Sequence, residues 1–261
     1  MNNIEKSSQE TSYSKYEKLL LERDALRKEA GSYLTAYIKE FGELINKVFE
    51  KKIDCISKKK SIAFCQAAVN RGEMVNATEL QKYIESAMEE YNAQLAQMIE
   101  EYKTARKAKV SSEYDYVKSK TIYRRIAKLI HPDISPAAWE YPEIGELWNR
   151  TLIAYGMNDA EELSAVEILV HKVLDDNGFE PGEIVIENIE ERIEEIEKEI
   201  HQIITTDPYR YKDLLDDATA ITEKKKALED EYQSYVQYAE ELDKTLKQYL
   251  LRGVIIQWPE N

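Results

Sequence analysis

Proline is missing from the first 131 residues; all six prolines lie at or after Pro132. Glycine is scarce too, with eight in 261 residues. A chain this poor in the two strongest breakers, with 33% charged residues, excludes a loop-rich or all-β protein and points to long helices. The two cysteines, Cys55 and Cys65, form no C-x-x-C pair and lie far from His131, His171 and His201. No metal-ligand set is therefore expected, and the cysteines read as reduced, small hydrophobes. No apolar run approaches the roughly 18 to 20 residues that span a bilayer. The polar start, Met1 to Lys6, predicts no secretion signal. These absences lead us to expect a cytoplasmic protein with no membrane partner. The phosphate-loop, dinucleotide, serine-hydrolase and zinc-protease motifs are all absent, so no catalytic residue and no cofactor is expected. A net charge of −14 argues against a general nucleic-acid binder.

What the chain has is helical periodicity. Tyr16, Leu19, Leu26, Ala30, Tyr33, Tyr37, Phe41, Leu44 and Val48 recur at steps close to three and four, with Arg23 interrupting the seam. Leu80, Ile84, Ala87, Tyr91, Leu95, Met98, Tyr102 and Ala105 make a second run. Between them lies Asn70-Arg71-Gly72, and Asn76 is an N-cap candidate with Glu79 as its capping-box partner. Residues 12–70 and 77–110 are thus expected to form an antiparallel hairpin, with a break near Lys51 to Lys60. The C-terminal third repeats the design. Ile186, Ile189, Ile193, Ile196, Ile200 and Ile203 step 3-4-3-4-3 among glutamates. Glu190 to Glu199 fall between these positions and read as solvated flanks. Asp207 and Pro208 then suggest a new helix start, followed by a heptad from Tyr211 to Leu246. The first arm is about 27 Å long and the second about 63 Å, so the longer stripe needs another partner. The N-terminal helices and a second copy of the chain are the two candidates. The tail from Gly253 to Trp258 reads as either a short strand or a docking segment.

The sharpest compositional boundary lies mid-chain. Residues 101–130 carry nine Lys/Arg and three Asp/Glu, whereas residues 131–200 carry four and nineteen. At this boundary stands Tyr123-Arg124-Arg125-Ile126-Ala127-Lys128-Leu129-Ile130-His131-Pro132-Asp133. Ile122, Ile126, Leu129 and Ile130 make an apolar stripe, and Arg124, Arg125 and Lys128 lie largely off it. Pro132 ends the helix at His131. A second helix is expected to start near Glu143 and to carry Trp148, Leu152, Ala154 and Tyr155 back against the first.

This segment resembles helix II, the His-Pro-Asp loop and helix III of the J domain, the module by which DnaJ-type co-chaperones engage DnaK-type heat-shock ATPases. The likeness spans about residues 115–165. It departs from the pattern at Leu129 and Ile130, at Thr151, and in a longer loop bearing Trp139 and Tyr141. The resemblance implies a J-like core of Tyr123, Ile126, Ala127, Trp148, Leu152, Ala154 and Tyr155. It also implies a chaperone-binding set of Arg124, Arg125 and Lys128, which steer, with His131, Pro132 and Asp133 presented outward as the trigger.

The expected protein is therefore all-α, with long antiparallel coiled-coil hairpins flanking a small J-like helical hairpin. Its expected domains are residues 1–110, 111–178 and 179–261. Two functions stay open: a J-like co-chaperone or adaptor that holds a client or dimerises through its coiled coils, and a non-catalytic helical scaffold or oligomerisation protein with a degenerate J-like hairpin.

Overall fold

The computed structural model describes residues 2–108, 112–179 and 188–251, and the side chains of 12–249 within them. Among the described residues, eight α-helices run in order: α1 (Asn2–Asn70), α2 (Ala77–Lys107), α3 (Glu113–Ile130), α4 (Pro142–Met157), α5 (Ala160–Asp176), α6 (Ile189–Thr205), α7 (Tyr211–Leu215) and α8 (Ala218–Leu251). One 3-10 turn, Pro136–Glu140, lies between α3 and α4. The protein is all-helical, with no strand among the described residues. No described helix is long and apolar enough to cross a membrane. Ile186 and the tail from Gly253 to Trp258 fall outside the described residues.

The chain divides into two compact units, each discontinuous in sequence: Met1–Tyr33 with Lys109–Arg210, and Leu34–Ala108 with Tyr211–Asn261. The reason lies in α1, which contributes its first half to one unit and its second half to the other.

In the first unit, α3, α4 and α5 pack on one another. Ser112 caps α3 by accepting the Asp115 amide proton, and the helix stops at His131, whose extended backbone precedes Pro132. Proline opens α4 at its first turn. Asn158, left-handed at φ 56, closes it, and Asp159 at once caps α5 by accepting from the Glu162 amide. Closing and capping residues in succession turn the chain back on itself within two positions, which makes α4 and α5 antiparallel neighbours. Ile126, Ile130, Ile144, Leu163, Val166 and Val170 form the fully buried centre. Tyr16 and Leu20 of α1 and Ile193 and Ile196 of α6 extend the same core. Ion pairs join Lys15 to Glu197 and Arg23 to Glu199, so α6 and this part of α1 run in the same direction.

The isoleucine stripe of α6 is buried with Tyr16 and Leu20. The helix expected at Pro208 is displaced: α7 begins at Tyr211, and α8 begins after Asp217, whose carboxylate accepts the Thr219 and Ala220 amide protons. An aspartate that satisfies the following backbone favours a helix start over a helix interior.

In the second unit, α2 returns along α1. Phe64 meets Tyr83 near the turn, while Glu43 accepts from the Tyr102 hydroxyl farther away. Gly42 permits that approach, since a Cβ there would stand 2.8 Å from the Tyr102 ring. Asn76 caps α2 as expected, accepting from the Thr78 and Glu79 amides. The stripe of α8 is covered by α1: Leu228 packs with Phe41 and Val48, and Ala239 and Leu242 with Cys55. Within one chain, then, the N-terminal helix supplies the partner that the longer arm required. No break interrupts α1 at Lys51 to Lys60, because Asp54 pairs with both Lys51 and Lys58, and Asp243 with Lys58. Both cysteines are free and buried, and the Cys55 thiol donates to the Tyr235 carbonyl.

Candidate functional site

Helix α3 sorts its residues as the sequence suggests. Tyr123, Ile126 and Ala127 face the core, while Arg124, Arg125 and Lys128 are exposed. The chain then turns: the His131 carbonyl accepts from the Ile134 and Ser135 amides, with Pro132 as the second residue of the turn. The Trp139 indole donates to the Ile130 carbonyl, and this occupies one of the end groups that α3 cannot satisfy internally. Pro132 and Asp133 are exposed at the tip.

His131 is not. Its residue is only 3% exposed, which corrects the expectation that all three loop residues point outward. The imidazole lies edge-on to Trp148, with ring centroids 5.0 Å apart. Nδ1 accepts the Asp133 backbone N–H at 3.0 Å, which assigns the ring proton to Nε2, 3.5 Å from the Asp24 carboxylate. His131 thus pins the turn that carries its exposed neighbours.

Asp24, on α1, is the second centre of this network. The Tyr123 hydroxyl donates to it at 2.7 Å, and the Arg23 guanidinium lies 3.2 Å away. Burial alone would push the Asp24 carboxyl up. The hydrogen bonds from His131 and Tyr123 and the Arg23 charge outweigh that cost and hold it below the usual carboxylate value. Burial beside this carboxylate pushes the Tyr123 phenol far up, so it remains a donor. Tyr123 stacks on Tyr155 at 3.9 Å, with the rings 7° from parallel. The Tyr155 hydroxyl and Ser119 Oγ are buried without a hydrogen-bond partner among the described residues.

On the exposed face, the basic residues are unequal. Arg125 makes a bidentate pair with Glu167 of α5, at 2.6 and 2.8 Å. Lys128 pairs with Glu17 of α1 at 2.7 Å. Arg124 makes no ion pair among the described residues.

The J-like core assignments divide in one place. Tyr123, Ile126, Ala127, Trp148, Ala154 and Tyr155 are buried together. Leu152 is 44% exposed, and Thr151 is fully buried in its stead, with its hydroxyl on the Leu147 carbonyl. Ile144, Leu147, Trp148, Thr151, Ala154 and Tyr155 follow helical steps of three, one, three, three and one, and position 152 lies to the side of that stripe.

No family model, no curated protein and no solved structure matches the chain. No cluster of three or more His, Cys, Asp or Glu among the described residues could hold a metal ion. Glu197 and Glu199 instead meet Lys15, Arg23 and Arg27. Tyr13, whose hydroxyl donates to the Ile134 carbonyl at 3.2 Å, Glu17 and Asp24 were missed in the sequence, since they lie far before the loop and helix they touch. Arg23, the charged residue in an otherwise apolar seam, was the one signal that this stretch packs on something polar.

Proposed function

We propose that the chain is a J-domain-like co-chaperone or adaptor that works in the cytoplasm and engages a DnaK-type ATPase. One observation carries this reading: exposed Pro132 and Asp133 stand at the end of a helix whose exposed face bears Arg124, Arg125 and Lys128, on a turn held by His131. A basic face steers toward an acidic partner surface and sets its orientation, and the turn tip then makes the close contact. His131 acts as a positioning residue rather than a contact. The long helices, as coiled-coil arms, offer the surface for a client or a second copy.

The rival reading is a helical scaffold in which the J-like hairpin serves only packing. It is favoured by the burial of His131 and by the neutralised charges of Arg125 and Lys128. Steady-state ATP turnover by a purified DnaK-type chaperone separates the two. The co-chaperone reading expects a several-fold stimulation that Asp133→Asn or Arg124→Glu abolishes while helical content is unchanged. Asp133 and Arg124 are exposed, so their loss is not a folding defect. No stimulation with any DnaK-type chaperone of the same source would leave the scaffold.

A further inference from the structure

The His131 imidazole stands between two carboxylates, and its two nitrogens meet them differently. Nε2 faces Asp24 on α1 at 3.5 Å. Nδ1 accepts the Asp133 backbone N–H at 3.0 Å, while Oδ2 of the same Asp133 lies 3.9 Å away, just outside hydrogen-bond reach. One residue therefore offers Nδ1 both a donor and an acceptor. A ring nitrogen with a lone pair takes the donor; once protonated it has no lone pair and takes the acceptor. The Asp133 side chain is 44% exposed at the tip of the turn, so it has room to answer that change.

We infer that His131 is a proton-operated latch on Asp133. Neutral, it holds the Asp133 backbone and leaves the carboxylate turned to solvent. Protonated, its Nδ1–H repels the backbone N–H and draws the carboxylate onto the ring. The step takes one proton from water, breaks one hydrogen bond and forms another. Elsewhere the turn stays fastened, by the His131 carbonyl on the Ile134 and Ser135 amides and by the Tyr13 hydroxyl on the Ile134 carbonyl. The consequence rests on the co-chaperone reading, in which the Asp133 carboxylate makes the contact: protonation withdraws it from the partner.

A buried histidine that gains a proton ordinarily destabilises the fold, because an unpaired buried cation is costly. Here Asp24 supplies the countercharge in place. Burial opposes its ionisation, yet the hydrogen bonds from His131 and Tyr123 and the Arg23 charge hold the Asp24 carboxyl below its usual value. It is therefore still ionised at a pH where histidines take up protons. The groups around the ring are Asp24 and, beside it, Arg23 from α1, Tyr123 from α3, Asp133 from the turn and the uncharged Trp148 from α4. The two carboxylates favour the imidazolium and Arg23 opposes it. Tyr123 stays neutral, since burial beside Asp24 pushes its phenol far up.

Proton and nitrogen NMR of the intact chain between about pH 8 and 5 tests the latch. The His131 ring should carry its proton on Nε2 at the basic end and on both nitrogens at the acid end. The Asp133 amide resonance should move with the same midpoint. Its hydrogen exchange, corrected for the intrinsic rate, should quicken about tenfold as its acceptor is lost. Asp133→Asn keeps the backbone donor but replaces the carboxylate by an uncharged, weaker acceptor. It should lower the His131 midpoint by about half a unit, the size of a partly exposed ion pair, with helical content unchanged. An Asp133 amide that stays put while His131 titrates would overturn the inference. So would an equal midpoint in Asp133→Asn, or a His131 ring still neutral at the acid end. The titration contains no chaperone, so it and the ATP-turnover test can fail independently.

Discussion

Asp24 gathers more of the polar interior of the first unit than any residue the sequence brought forward. It accepts from Tyr123, faces His131 Nε2 and lies against Arg23, all with its side chain 15% exposed. An amide in its place keeps one acceptor oxygen but sets an NH2 donor against either Arg23 or the Tyr123 and His131 donors, and a buried donor so stranded costs about 1–3 kcal/mol. Asp24→Asn is therefore expected to lower stability at pH 7 by that order in denaturant titration. The acid limb gives a separate check. The Asp24 carboxyl titrates lower in the folded than in the unfolded chain. Its contribution is complete above the unfolded carboxylate range near about pH 4 and disappears as pH falls through the folded value. The midpoint of thermal unfolding should thus fall less steeply below pH 4 in Asp24→Asn than in the parent chain, and equal slopes would contradict the network. His131 shows why this network was hidden. A tripeptide reveals that a turn follows a helix, but not which of its three side chains the rest of the molecule covers.

At the scale of elements, periodicity was legible wherever a helix buries one face. The α3 stripe, the Asn76 cap and the turn after α1 follow directly from residue spacing. What spacing alone misjudged was register by one position on α4, where an expected leucine gave way to a threonine. Helix geometry decides this: Thr151 shares its face with Leu147, Trp148 and Ala154, and its hydroxyl is satisfied by the carbonyl four residues back. The register has a measurable consequence. Leu152→Ala should change stability by less than about 0.5–1 kcal/mol, as exposed substitutions do. Thr151→Val, which exchanges a satisfied hydroxyl for a methyl in an apolar core, should stay within about 1 kcal/mol. Ile126→Ala, at a fully buried position, should cost about 2–5 kcal/mol. A loss at Leu152 comparable to that at Ile126 would restore the original assignment.

For the whole molecule, each unit is a different test of stability. Cys55 and Cys65 are 2% and 0% exposed in the second unit, and burial pushes both thiols up from their ordinary value. Thiolate is the reactive form, so labelling by a disulfide reagent at pH 8 reports opening of that unit. The native chain should react at least about a hundredfold more slowly than the denatured chain, with both cysteines labelled together if they share one cooperative opening. Immediate reaction of either thiol would show that α8 does not cover α1. The sequence by itself determined that the chain is helical, where its stripes lie and which short segment carries a basic face beside a turn, because these depend on neighbours within a few residues. Only the tertiary structure decided which stripe meets which: that the α6 isoleucines pack on the first half of α1, that α8 lies along the second half, and that Asp24 and Glu17 reach the loop and its helix. A heptad specifies that a helix needs a partner, while long-range contact selects the partner from several stripes of equal period.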